Sequence, residues 1–410
     1  MSVRVLTWTL AVFLLIHPQA ASAFPWMIKH NYTSCQSCHV DPSGGGVMTD
    51  YGRAQQQTLL ETQWGTPNLE GEASPNTQFL YGALGSSRPE WFLPELSVRA
   101  GGLFSRSVNL GASSNEGQVR DVLVPVVMAA DVRAAVVAGA FRAMASLGVA
   151  PRRAFAASLT PVGDVDGTKL ISRDYWLGAA LLDDALFIRA GRLTLPFGIR
   201  SVEHTLWARA VTRTDFNDSQ QHGVAVAYSG ESFRTEVMAI AGNFQVSPDD
   251  YRERGASGYF EYVFAPNLTA GVSSLVTFAR YDRLRSEANT LRQAHGLFAR
   301  YAPSPDLALV AELDALVRSS QQGGLQAGVV GYAQADLEVV RGLHLLGTVE
   351  LLREDQRGAA GTQLGGWLGM SWFVTRGLEV RLDGFARQTP VQGQPSISNL
   401  GGVLLLHLYL

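Results

Sequence analysis

Only two cysteines occur in the 410-residue chain, and both fall in one short run, Ser34-Cys35-Gln36-Ser37-Cys38-His39. Two thiols separated by two residues, with an imidazole directly after the second, match the chemistry of c-type haem attachment. Each thiol adds across one haem vinyl group to form a thioether. The two-residue spacer fits the distance between the vinyls, and the adjacent imidazole swings under the ring as proximal iron ligand. Cys35, Cys38 and His39 are therefore the expected attachment and ligand residues for one covalent haem c. A zinc site would need further ligands, and no second cysteine pair supplies them. A thioredoxin-like dithiol expects a βαβ context, whereas the flanks here are glycine-rich and irregular.

The sixth iron position has two main candidates. His30 lies five residues before Cys35 and Met48 ten after Cys38, with Met27 as a third. An imidazole there gives a low potential and a thioether raises it. His30 is favoured because it sits on a short polar stretch that need not pack elsewhere. The Pro42-Ser43-Gly44-Gly45-Gly46 turn can fold Met48 back over the ring. An open sixth position is the remaining alternative.

The elements that must position these groups come from the rest of the chain. Residues 1–23 read as a secretory signal: Arg4, an apolar run over residues 5–16, then Ala21-Ser22-Ala23 as cleavage site. The run is shorter than the roughly 20 residues a membrane-spanning helix needs. Residues 24–75 form the haem-bearing segment and a polar linker. At about fifty residues it is close to the size below which a core cannot sustain itself, so the remainder of the chain is expected to shield it.

Residues 76–410 read as a barrel. In Glu379-Val380-Arg381-Leu382-Asp383-Gly384 charged residues alternate with apolar or small ones, and Val310-Ala311-Glu312-Leu313-Asp314-Ala315 repeats the pattern. Such alternation means strands with one polar and one apolar face. Tight turns at Asp183-Asp184, Ser229-Gly230, Pro266-Asn267, Ser304-Pro305, Arg341-Gly342 and Arg376-Gly377 alternate with longer polar loops at 105–116, 160–173, 194–221, 245–255, 282–293 and 388–398. That is the layout of an outer-membrane β-barrel, and sixteen strands can be counted from Phe92 onward. The fold class expected is thus all-β, a transmembrane antiparallel barrel of about 16 strands preceded by a small irregular or α-helical monohaem segment. A charge facing lipid is costly, so Arg99, Arg189, Glu236, Glu261, Glu312, Asp314, Glu350, Arg381 and Asp383 are expected to line the lumen. Charged residues make up only 17% of the chain and the net charge is −3, which gives no footing for a nucleic-acid partner.

Two stretches carry a resemblance. One is Phe24-Pro25 leading to Cys35-Gln36-Ser37-Cys38-His39 and Tyr51-Gly52-Arg53. The other is Arg189-Ala190-Gly191-Arg192, Pro196-Phe197-Gly198-Ile199-Arg200, Glu203-His204-Thr205 and Arg209. Together they resemble the fused monohaem cytochrome–porins of bacterial outer membranes, whose best-known members are iron oxidases. The resemblance implies a barrel in the outer membrane with its haem segment on the periplasmic side or within the lumen. It also implies partners: periplasmic electron carriers, an extracellular redox partner or metal ion, and outer-membrane lipid. The expected function is electron transfer between an outside donor or acceptor and periplasmic carriers. A solute porin with a haem-bearing plug or redox-sensitive gate is the alternative.

Overall fold

The computed structural model describes residues 24–62, 88–109, 119–151, 168–201, 206–215, 219–356, 358, 361–375, 377–391 and 394–410. The signal-like run 1–23, most of the polar linker and Glu203-His204-Thr205 lie outside the described residues.

Period-two sequence becomes strand throughout the C-terminal region. The first strands are β1 (Phe92–Asn109), β2 (Val119–Ala138), β3 (Phe141–Pro151), β4 (Thr168–Ile171), β5 (Tyr175–Leu181) and β6 (Leu186–Leu193). The middle of the wall is β7 (Gln221–Ser229), β8 (Phe233–Gly242), β9 (Arg254–Ala265), β10 (Leu268–Asp282), β11 (Glu287–Ser304) and β12 (Leu307–Ser320). It ends with β13 (Gly324–Val340), β14 (Leu343–Arg353), β15 (Gln363–Thr375), β16 (Leu378–Val391) and β17 (Gln394–Tyr409). Neighbours are antiparallel, and β17 pairs back onto β1 from Ser97↔Tyr409 to Asn109↔Ile397, closing the sheet. Both β4 and β5 pair with β3, at opposite ends, so they are one wall strand interrupted at residues 172–174. Seventeen segments therefore make sixteen staves, as the sequence predicts.

The burial pattern is inverted relative to a soluble protein. On β12, Glu312 and Asp314 are 3% and 0% exposed while Leu313 between them is 50% exposed. Arg381 and Asp383 are buried on β16, and Leu382 points out. All nine residues expected in the lumen are buried inside. Outward leucines, valines and phenylalanines on nearly every stave form an apolar exterior. Closure pairs the backbone groups of every stave, which a wall in hydrocarbon requires. No described helix is long and apolar enough to cross a membrane.

Two of the expected long loops are corrected. The polar stretches at 282–293 and 388–398 are mostly strand, because β10 and β16 run on to Asp282 and Val391 while β11 and β17 begin at Glu287 and Gln394. Ladder hydrogen bonds hold regardless of side-chain polarity once a strand has left the lipid, so polar composition alone does not end it.

The lumen is filled from both ends. After β6, the chain turns inward: Leu193, Leu195, Phe197 and Ile199 are buried, and helix α2 (Trp207–Thr212) lies against β13 and β14. Arg209 pairs with Glu312, the Ile199 amide donates to Glu312 Oε2 at 2.7 Å, and the Trp207 amide donates to Glu350 Oε2 at 3.0 Å. From the tight-turn end comes the N-terminal segment. It comprises a 3-10 turn (Pro25–His30), an irregular stretch, and helix α1 (Asp50–Leu59). Val40 and Val47 of this segment share one apolar cluster with Leu195 and Phe197 of the inward loop and Trp176, Phe187 and Met238 of the wall.

Candidate cofactor site

Cys35, Cys38 and His39 are gathered on a single turn. The amides of Cys38 and His39 both donate to the Cys35 carbonyl, at 3.2 and 3.1 Å. The chain then doubles back. Ser43 donates its amide to Asp41 Oδ1 at 2.7 Å, Gly44 and Gly46 take positive φ of 82° and 68°, and the Val40 amide donates to the Val47 carbonyl at 3.0 Å. His39 and Met48 end up as partners in an antiparallel bridge. The glycine run predicted as a turn is that hairpin, and glycine is what allows the left-handed backbone there.

Helix α1 braces the turn from behind. Thr49 caps it, its Oγ1 accepting from the Gly52 amide at 3.0 Å. Tyr51-Gly52-Arg53 acquires three separate duties. The Tyr51 hydroxyl lies 3.2 Å from that of Tyr32, and buried Arg53 donates from Nη2 to the Pro94 carbonyl at 2.6 Å. Gly52 lies against the Cys38 backbone, where an added Cβ would come within 2.3 Å of the Cys38 carbonyl oxygen. Gly52→Val is accordingly expected to displace the Cys35–His39 turn, and Thr58→Ala, on the exposed side of the same helix, to leave it in place. Hydrogen exchange at the Cys38 and His39 amides is the measurement.

Cys38 and His39 open onto a cavity between the segment and the barrel seam. Its wall side is Glu95 and Ser97 of β1, Arg133 of β2, and His407 and Tyr409 of β17, while Phe24, Met27 and Leu60 supply apolar lining. The empty space is about 810 Å³ when counted out to its mouth and into the solvent beyond it. Cys35 faces an adjoining space lined by Arg200, Arg234 and Tyr259. His39 also borders a wide vestibule at the tight-turn mouth, shared with Gln36, Asp184, Tyr228 and Glu231.

The chemistry of this donor set fits a haem. The two cysteines are free thiols, and burial pushes Cys38 up to about 12. Burial holds the His39 imidazole below its ordinary value against the pull of Glu95, so it is neutral and able to donate a lone pair. The Gly46 backbone faces it, yet Nδ1 is buried without a hydrogen bond of ordinary geometry. Among the described residues, no group of three or more His, Cys, Asp or Glu side chains could hold a bare metal ion.

The other sequence candidates occupy different places. Met48 lines the cavity beside His39, and Met27 lines it from the 3-10 turn. His30 is not part of that lining; its Nε2 is 3.6 Å from Glu338 Oε2. Sequence reasoning missed the wall side altogether: Glu95, Arg133 and His407. The one available signal was in the closing strand, where His407 is the lone polar side chain among Val403-Leu404-Leu405-Leu406 and Leu408.

Buried charge fastens the segment to the wall. Lys29 Nζ sits 2.8 Å from Asp336 and 3.0 Å from Glu338, beneath the Trp26 ring. Trp26 in turn lies 4.5 Å from the His344 ring. Arg189 pairs with Asp41 and, at 2.5 Å, with Glu236, which also binds Arg200. Burial works against the Asp41 charge, but the Arg189 guanidinium and the hydrogen bonds from Ser43 together hold the carboxyl below the usual range. The Met48 amide donates to Glu95 Oε2 at 3.1 Å, and Arg300 donates to the Thr33 carbonyl at 2.9 Å.

No family model matches the sequence, and no curated protein matches it. Solved structures do share the fold. The loop L8 deletion mutant of OmpT, an outer membrane protein of Vibrio cholerae, has a TM-score of 0.55 at 12% identity, covering 78% of this chain and 99% of that one. The outer membrane channel DcaP of Acinetobacter baumannii gives 0.52 at 11% identity, covering 79% and 99%. The anion-selective porin from Comamonas acidovorans gives 0.52 at 11% identity, covering 78% and 100%. At these identities the likeness is one of fold, and the fold is that of an outer-membrane porin barrel.

Proposed function

We propose that the protein is an outer-membrane electron carrier, with one covalent haem held between the N-terminal segment and the inner face of a porin-like barrel. The observation that carries this reading is the placement of Cys35, Cys38 and His39 on one turn, with Cys38 and His39 at a cavity walled by the barrel itself. When bound, haem supplies a one-electron iron couple whose potential is set by ligands, burial and neighbouring charge.

The chain's own groups divide the remaining work. Cys38, in the cavity, and Cys35, in the adjoining space, are the thiols that would hold a haem through thioethers. His39 offers its imidazole as ligand. Phe24, Met27 and Leu60 exclude water, and Arg133 places a positive charge at the wall. The vestibule gives a soluble carrier an approach to the His39 side from the tight-turn mouth, the periplasmic side in barrels of this class.

The test uses proteoliposomes enclosing a coloured electron acceptor, with an impermeant reductant outside. Acceptor reduction is expected with the native protein and not with the Cys35→Ala/Cys38→Ala variant. Equal rates for the two would contradict the reading.

A second reading, a solute porin in which the N-terminal segment acts as plug or gate, is favoured by the likeness to channel-forming barrels. Single-channel conductance that changes with the redox state of the haem would support it over the first.

A further inference from the structure

We propose that His407, on the strand that closes the barrel, is the second axial ligand of the haem iron, opposite His39. This rests on the haem reading above. A flat ring takes its axial ligands from opposite faces, and the cavity has two facing sides. One is the segment bearing His39; the other is the seam bearing His407.

The wall side offers Glu95, Ser97, Arg133, His407 and Tyr409, of which His407 is the only neutral nitrogen donor. Its orientation is that of a built ligand. Nδ1 lies 3.3 Å from Glu379 Oε2, on the neighbouring strand, and the ring packs 4.6 Å from Tyr409. Metal-bound histidines characteristically give their second nitrogen to a carboxylate, which fixes ring and tautomer. With the proton on Nδ1, the Nε2 lone pair is engaged only by a long contact from the Ser97 hydroxyl at 3.5 Å, the outer limit of a hydrogen bond. Arg133 is the charged neighbour common to both imidazoles, consistent with the two rings facing one space.

The rival donors are placed less well. Met48 is the bridge partner of His39, and paired residues of an antiparallel bridge send their side chains to the same side. Met48 is therefore beside His39 and not across from it. His30 is turned toward Glu338. Met27 lines the cavity but is buried in an apolar cluster with Trp26, Tyr32 and Leu60.

An axial bond from His407 would stitch the N-terminal segment to β17, so loading the site would also lock the plug in the barrel. The test begins with the pyridine haemochrome of the native protein; absence of haem would refute the cofactor reading and this inference with it. With haem present, the native ferric protein is expected to give the low-spin magnetic circular dichroism of two imidazoles. His407→Ala is expected to turn high-spin, and added imidazole to restore the low-spin signal. His407→Met, which keeps a ligand of similar length, is expected to show a thioether charge-transfer band and a higher potential. Met27→Leu, which keeps the apolar lining and removes only the thioether sulfur, is expected to keep the two-imidazole signature. Folding of each variant is read from its heat-modifiable migration on gels. A low-spin bis-imidazole spectrum surviving in folded His407→Ala would overturn the proposal, as would a native thioether band that disappears in Met27→Leu.

Discussion

Replacing Arg189 by Ala is expected to release residues 24–62 from the lumen while leaving the barrel closed. Arg189 is fully buried between Asp41 of the segment and Glu236 of the wall. Removing it leaves Asp41 as a buried carboxylate without its cation, whereas Glu236 retains Arg200. Breaking one partner of a buried pair costs about 3–5 kcal/mol, against roughly 0–1 kcal/mol for an exposed pair. That corresponds to an opening of the segment favoured by a factor of about 10²–10³ or more, since each 1.4 kcal/mol is tenfold. Hydrogen exchange and limited proteolysis of the segment read this directly. Asp41→Asn in the Arg189→Ala background is expected to recover part of the loss, because the uncompensated charge is gone. Unchanged protection in Arg189→Ala would show that the apolar cluster and the Lys29 anchor hold the segment without it.

The second large effect concerns the thiols. Cys35→Ala/Cys38→Ala is expected to abolish covalent haem, read as loss of the haem-stained band after denaturation. The same variant is expected to keep its heat-modifiable mobility. The barrel is held by closed strand pairing and by lumen ion pairs, and neither cysteine takes part in them. Loss of the folded band would mean that the thiols of the segment are needed to assemble the wall.

Much of this was legible in the residues. Alternation at Glu312-Leu313-Asp314 and Arg381-Leu382-Asp383 announced both the strands and the face that turns inward, because side-chain direction in a strand has period two. The glycine run after His39 announced a reversal, which the structure realises by pairing His39 with Met48. The partners of the segment were not legible. Asp41 is 148 positions from Arg189, and Lys29 is 307 from Asp336. Such pairs depend on which stave faces the plug, and local pattern carries no record of that. His30 illustrates the same gap: its polar neighbourhood suggested a free side chain, yet Lys29 beside it anchors the whole turn to β13. Hairpin lengths at 282–293 and 388–398 were also hidden, since polar residues beyond the lipid say nothing about whether the ladder continues.

The second stretch of the resemblance gains a physical meaning here. Arg189 clamps the segment, Arg192 donates to the Ser172 carbonyl at 2.6 Å, and Arg200 reaches the Pro42 carbonyl at 3.3 Å. Arg189 of the wall and Arg200 of the inward loop thus hold Asp41 and Pro42, directly after the Cys35–His39 turn, while Arg192 braces the wall itself. The barrel reads as a mould for the segment that bears the motif.

The most direct measurement is the pyridine haemochrome of the purified, folded protein, quantified against protein concentration after removal of loosely bound pigment. One c-type haem per chain, retained through denaturation, is the expected result. A folded barrel with no covalent haem, expressed where haem attachment to other proteins proceeds normally, would contradict the account.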